Sequence, residues 1–358
     1  MRKILFAFLT FFIFRTVILG QAIVENPEKP ASKNPGRVIQ LKEVLRIKDE
    51  GREFYFKEPW GIDVAEDGSI FVQDGVKLYK FDAQGKFKKN MVTKGQGPGE
   101  ITEELTDFVV DNNDIIIFCG PMQKIVKKDL EGNFIKDLVL EKKRAADFIA
   151  YYNNKYFLVD IMPKSFERKE GFNDFDQNLF IFDEEGNATS IPYSFPIKHY
   201  DSFKGKFGFF QFVTTLLKSR VCQHFIYLSH TENYLIKQFD LEKLQIRKIF
   251  RRAYPRVRFQ SDEMRPFKYY NDVHRLLIFR NNVWVLTSFL DKKKGILVDV
   301  FNEDGKYLDN FYLPLLNSKT GDCFYQLYFP MTIKSNFLYA VEHDEDWNYF
   351  IAKYEIID

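Results

Sequence analysis

Absences narrow this sequence first. Only three of its 358 residues are cysteine, an odd number, too few for a disulfide scaffold and without metal-ligand spacing. None of the five histidines stands in a His-Glu-x-x-His arrangement. No Gly-x-Ser-x-Gly nucleophile elbow occurs, and no Walker Lys-Ser/Thr follows a glycine loop. Charge of one sign is missing too. Lys and Arg number 52 against 50 Asp and Glu, a formal net charge of +2. That balance offers no electrostatic drive toward nucleic acid or an acidic membrane. Long apolar runs are confined to the start, where Ile4 to Phe14 is short for a bilayer span and Arg15 interrupts it.

What is present favours strands and export. Aromatics make up 17% of the chain, with 39 Phe and 19 Tyr, residues that suit a pleated surface. Arg2 and Lys3, the apolar run, and small residues at Gly20 and Ala22 form the tripartite pattern of a secretory signal. Residues 1–22 are therefore expected to be a signal peptide, with an uncleaved anchor as the competing reading. The mature protein is expected in the periplasm or outside the cell, without stable membrane insertion. Residues 23–37, with three prolines in ENPEKPASKNPG, are expected to be a flexible leader. Cys119 and Cys222 read as small buried hydrophobes.

One phrase recurs: a strand, an acidic or polar residue, a short turn, then another strand. It appears as LYKFDAQGKF at 78–87, IVKKDLEGNF at 125–134, LFIFDEEGNA at 179–188, LIKQFDLEKLQI at 235–246 and LVDVFNEDGKYL at 297–308. The chain ends on half a copy, FIAKYEIID at 350–358. The spacing, roughly 45–60 residues, is the size of a four-stranded propeller blade. Asn-Asn or Gly corners precede most copies, where tight hairpins need positive φ. The fourth unit is the least regular, and its first strand is expected near Phe209–Thr215. The sixth lacks an outer strand, and a ring must close or leave an edge exposed. VIQLKEVLRI at 38–47 belongs to no other unit and can supply that strand. The expected fold is all-β: one six-bladed propeller over 38–358, closed by an N-terminal strand that completes the last blade.

The first unit, at 58–87, resembles an NHL repeat through Pro59, Gly61, Ile62, Val64, Gly68, Val72, Asp74, Phe81, Asp82 and Gly85. KGQGPGEI at 94–101 resembles a Gly-x-Gly-Pro-Gly-Glu signature of secreted bacterial six-bladed β-propeller proteins. The resemblance implies a fold and a compartment more than a reaction. From the residues themselves, this glycine stretch reads as a tight inter-blade connection with Glu100 bonding loop amides. The basic run at 247–259 reads as a solvated outer strand and loop, and EHDED at 342–346 as a solvated turn.

Blade topology then points to a working face. Label the strands of a blade a to d from the axis outward. The a–b and c–d turns are short, whereas the long segments at 93–106, 163–177, 195–208, 252–273 and 314–328 fall on the opposite face. Long loops gathered on one face of a repeat fold are where binding usually lives. They carry aromatics including Tyr200, Phe203, Phe207, Phe267, Tyr269, Tyr270, Phe324, Tyr325 and Tyr328. First strands run into the channel from this face, which places Trp60, Asp107, Asp147, Gln211, His274 and Met331 around its mouth. Arg252, Tyr269 and Tyr270 are expected to overhang it. Asp107, Asp147 and His274 could hold Ca²⁺ in a narrow ring, although Trp60 and Met331 stand against a complete cage. The leading expectation is therefore a binding module for a glycan, peptide or protein, with contacts from Trp60, Asp107, Asp147, Arg252, Tyr269, Tyr270 and His274. It assigns no catalytic residue, cofactor or nucleic-acid partner. The alternative is a metal-dependent hydrolase or lyase with its site in the central channel.

Overall fold

Short alternating strands joined by tight corners close into a ring of six antiparallel blades. The structure, a computed structural model, describes residues 23–49, 53–140, 145–164, 169–202, 209–212, 214–258, 268–315 and 330–357. Blade I contains Pro59–Val64, Ile70–Asp74, Lys77–Phe81 and Phe87–Asn90, and blade II contains Asp107–Asp111, Asp114–Cys119, Lys124–Asp129 and Phe134–Val139. Blade III is built on Asp147–Tyr152, Lys155–Pro163, Gly171–Asp183 and Ala188–Ser202. Blade IV has Leu217–Lys218, Phe225–Ser229, Ile236–Asp240 and Gln245–Arg252; blade V has Val273–Phe279, Asn282–Asp291, Gly295–Phe301 and Tyr307–Leu313. Blade VI takes three strands from the C-terminal end, Met331–Lys334, Phe337–His343 and Tyr349–Ile357. Its outer strand is Gln40–Lys48, antiparallel to the last strand from Phe350 opposite Lys48 to Ile357 opposite Gln40. The closure inferred from the missing half-repeat is thus the one observed.

The repeated phrase is a hairpin with a fixed local chemistry. At Asp82, Asp129, Asp183 and Asn302 the side-chain oxygen accepts the amide four residues on, at 2.7–2.9 Å. The residue in between, Gly85, Gly132, Gly186 or Gly305, has φ from 73° to 83°. That conformation suits glycine, and these turns also press against the neighbouring blade. A Cβ at any of the four would lie 2.8–3.1 Å from a side chain there. The a–b corners use asparagine instead: Asn153 and Asn154 have φ of 48° and 57°. Cohesion comes from between the blades. Six apolar clusters each join two neighbours; Ile47 and Ile351 of blade VI meet Val64, Ile70 and Phe81 of blade I, for example.

Three expectations need correction. The first strand of blade IV is Leu217–Lys218, and Phe209–Phe212 instead pairs with the end of blade III, Gln211 opposite Tyr200. Blade III overshoots because 171–183 and 188–202 keep pairing past the height of the ring, with Phe172 opposite Tyr200 and Phe175 opposite Ile197. The described residues 171–177 and 195–202 of the segments expected as loops at 163–177 and 195–208 are therefore one tall hairpin. Residues 23–37 do not behave as a free leader. Ile23–Asn26 adds a parallel strand to the outer edge of blade IV, and Arg37–Val38 does the same on blade V. Open edges offer unpaired amides and carbonyls, and Asn26 fastens the strap. Its amide donates to Arg251 O and Gly305 O, while its oxygen accepts from the Tyr307 amide. The basic run joins in: Arg251 pairs with Glu25 at 2.7 Å, and Lys248 pairs with Asp304. Phe203, Phe207, Phe267, Cys323, Phe324, Tyr325 and Tyr328 lie outside the described residues.

Blade VI also carries a pH-dependent contribution. Burial pushes the Glu342 carboxyl up to about 7, against the opposing pull of the Tyr354 hydroxyl bond and of Arg46. A carboxyl raised above its ordinary 4.5 binds more protons folded than unfolded, so its contribution is greatest below about 4.5 and is lost as pH rises to about 7. The loss is on the order of 2–3 kcal/mol. Glu342→Gln should remove it. The melting temperature of the variant relative to the wild type should rise between pH 5 and pH 8, and a pH-independent difference would contradict this.

Candidate functional site

The inner strands of all six blades line a cavity of about 200 Å³ on the ring axis. Its charged groups are sorted by blade. Asp63 and Asp107 come from blades I and II, with Asp147 of blade III just behind them, 3.9 Å from Lys218; Lys218, Arg220 and Arg275 come from blades IV and V; blade VI offers Pro330, Met331 and Thr332. Acids and bases therefore face one another across the channel.

They meet in two tiers. On the long-loop side, Lys218 pairs with Asp107, donates to the Phe148 carbonyl and lies 3.9 Å from Asp147. Asp107 and Asp147 each accept the amide of the following phenylalanine, at 2.8 and 2.7 Å. Burial raises the Asp147 carboxyl; Lys218 pulls it down and Asp107 pushes it up again. Burial acts to lower the Lys218 ammonium, but the two aspartates outweigh it and hold it above its ordinary value. These groups are walled in by protein yet reached by water along the axis, and their side chains are 25–36% exposed. Two residues further along the chain, Arg220 pairs with Asp63. Asp63 also accepts the amides of Val64 at 2.9 Å and Val110 at 2.8 Å, tying blade I to blade II. Burial is the largest influence on Asp63 and raises it, against the pull of Arg220.

Trp60 stands at the rim of this cavity with 56% of its surface exposed. A bulge puts it there: Pro59 lies opposite Asp74 and Gly61 opposite Gln73, leaving Trp60 without a cross-strand mate. A similar bulge decides blade V. Val273 lies opposite Thr287 and Arg275 opposite Leu286, so the register skips His274. Arg275, not His274, lines the channel. Burial and the adjacent Arg275 push the His274 imidazole down to about 4, which keeps it neutral.

Of the residues expected at the mouth, Trp60, Asp107 and Met331 line the cavity, and Asp147 stands beside it, 3.9 Å from Lys218. Gln211 went to the blade III extension with its strand. Arg252 is buried between blades IV and V, its Nε 2.7 Å from Asp299. Tyr269 and Tyr270 belong to a cover over the same blades. Tyr269 pairs with Arg258 and carries the Arg256 guanidinium 4.9 Å above its ring, and the Tyr270 amide donates to Val257 O. Neither lines the cavity. Sequence reading missed Asp63, Lys218, Arg220 and Arg275. Lys-Ser-Arg at 218–220 was the available signal, two bases alternating as channel-facing positions of a strand do. Among the described residues, no three His, Cys, Asp or Glu gather closely enough to hold a metal ion. No helix there is long and apolar enough to cross a membrane.

The glycine stretch is a structural connection. Gly97 N–H donates to the Glu100 carboxylate at 2.9 Å, and Gly99 N–H donates to Asp137 at 3.0 Å. Lys124 pairs with Asp137 at 2.6 Å and reaches Gly97 O and Glu100 O. Blades I and II are latched there.

Comparison with known proteins agrees on architecture. No curated protein sequence matches the chain. A protein of Bacteroides fragilis NCTC 9343 described as exported superposes with a TM-score of 0.56 at 13% identity, over 94% of this chain and 100% of its own. A member of the duf4221 family from Bacteroides vulgatus ATCC 8482 gives 0.55 at 12% identity, over 90% and 99%. At such identities the likeness is one of fold alone. The sequence model of DUF5128, a family described as a 6-bladed beta-propeller, matches residues 51–324. With most of its length matched and six blades in its structure, the chain belongs to the DUF5128 family of six-bladed β-propellers.

Proposed function

We propose that this protein is an exported binding module that holds a glycan, peptide or protein ligand at the long-loop mouth of its central channel. The signal-like first 22 residues and the likeness to a protein described as exported support the compartment, periplasmic or extracellular. The NHL-like first unit and the Gly-x-Gly-Pro-Gly-Glu stretch fit the same reading. One observation carries the site: the bulged, exposed Trp60 beside the Asp107–Lys218–Asp147 cluster. An indole next to fixed charges of both signs offers an apolar face and hydrogen-bond partners together, the mixture from which binding anchors are made. The aspartates of the channel lean on Lys218 and Arg220, which suits ligand hydroxyls and amides better than a bound cation.

The test is a glycan, peptide and protein screen with the mature chain, followed by Trp60→Ala and Asp147→Asn. Trp60→Ala should weaken binding by about 1–3 kcal/mol. Unchanged affinity in both variants would remove the site from the channel mouth. Near-stoichiometric Ca²⁺ or Zn²⁺ in the purified protein would favour the metal-dependent hydrolase or lyase instead.

A further inference from the structure

Among the described residues, five hairpins share one turn. In each, an Asp or Asn accepts amides from the residues after it, and the fourth residue of the turn has positive φ. Four of them, at 82–86, 129–133, 183–187 and 302–306, place glycine there. The fifth, the b–c turn of blade VI, reads Asp344-Glu-Asp-Trp347-Asn348. The Trp347 amide donates to Asp344 O, and Asp344 accepts the Asp346 and Asn348 amides at 3.0 and 2.9 Å. Trp347 has φ 63°. A bulky residue in the left-handed region is an outlier, disfavoured relative to the glycine that the other four turns use. Strain of this kind concentrates where a side chain is retained for what it does.

The surroundings show what that is. This turn joins the second and third strands of its blade and so lies on the long-loop face, opposite the four glycine turns. The indole is stacked on the buried His343 ring, centroids 4.3 Å apart and planes 4° from parallel, while 47% of Trp347 stays exposed. Stacking on one side fixes the orientation of the ring and leaves a flat apolar surface toward a shallow cavity of about 250 Å³. Tyr55, 62% exposed, and Tyr349 share that cavity with Lys48, Lys57 and Asn348. A rigid aromatic plane ringed by amide, ammonium and carboxylate groups matches a pyranose, whose C–H face packs on the indole while its hydroxyls reach the polar rim. Lys48 and Lys57 are balanced by Asp49 and Asp344 in the same lining, so the rim supplies both donors and acceptors for sugar hydroxyls.

We infer that Trp347, with Tyr55, forms a sugar-stacking platform on the rim between blades VI and I, separate from the channel mouth. It does not depend on the channel-mouth reading. Lys48 and Lys57 admit either a neutral sugar or one carrying a carboxylate.

The test uses the mature full-length chain with maltotetraose, cellotetraose, mannotetraose and tetragalacturonate, followed by calorimetry and tryptophan fluorescence. At least one should bind and perturb the fluorescence; the neutral and acidic probes distinguish the two kinds of sugar. Trp347→Gly gives the turn the residue its four counterparts carry, so the fold should be retained, while affinity should fall about tenfold or more. Tyr55→Ala should weaken the same ligand, and Trp60→Ala should leave it unchanged. Silence of all four probes, unchanged affinity in Trp347→Gly, or capture of peptides in place of sugars would each overturn the inference.

Discussion

Replacing Asp299 with alanine should cost the fold about 3–5 kcal/mol, the usual consequence of leaving a buried charge without its partner. Asp299 is fully buried in blade V. Its Oδ2 accepts Arg252 Nε at 2.7 Å and the Tyr234 hydroxyl at 2.8 Å; its Oδ1 accepts the Tyr307 hydroxyl at 2.7 Å. The guanidinium lies 4.9–5.2 Å from the ring centres of Tyr234, Tyr254 and Tyr307. Burial and the Asp299 charge both push the Tyr234 and Tyr307 hydroxyls up, so they stay protonated and keep donating. Removing the carboxylate strands one guanidinium and two hydroxyls inside the contact between blades IV and V. Total stabilities of folded proteins run to about 5–15 kcal/mol, so the loss should be plain in the urea midpoint. The double variant Arg252→Met, Asp299→Leu should recover much of it, because an apolar pair of similar volume avoids the burial of charge altogether. A midpoint for Asp299→Ala within about 1 kcal/mol of wild type would show that the pair is not what holds these blades together.

The same pair shows where sequence reading stops. Arg252 looked like a ligand contact because its basic run gave no hint of Asp299, which lies 47 residues on in another blade. The blades themselves were legible because their signals are local. Asp or Asn followed by Gly three residues later is a turn wherever it stands, and a half-repeat at one end implies a matching strand at the other. Asp107 reached the axis because it begins a regular inner strand, and Asp147 came close to it because the bulge of its own strand falls only after Phe148. His274 and Arg275 changed places through a single-residue bulge, which no periodicity announces. Lys218 sits on an inner strand only two residues long, hidden behind the overshoot of blade III. Trp347 was invisible for the opposite reason: its turn lacks the glycine by which the others were found.

Deleting residues 23–48 should make the protein aggregate. Gln40–Lys48 pairs along the outer edge of Tyr349–Ile357 from Phe350 to Ile357, and its Ile47 is 3% exposed between blades VI and I. Leu41 and Leu45 pack beside the same clusters. Burial of such side chains is worth about 1.5–3 kcal/mol each, so the strand carries a large share of an ordinary stability. Its loss also bares a long apolar edge, the usual template for pairing between chains. A deletion of 23–36 alone separates strap from closure. It removes the strand on blade IV and the Asn26 bonds to Gly305 and Tyr307, but leaves blade VI complete. That variant should keep the wild-type elution position and melt a few degrees lower, consistent with about 1–2 kcal/mol of lost hydrogen bonding and edge cover. Size-exclusion chromatography with light scattering, followed by thermal melts, reads both. A monomeric 23–48 deletion with unchanged melting would defeat the closure argument. Equal aggregation of the two variants would make the strap, not the closing strand, the element that protects the ring.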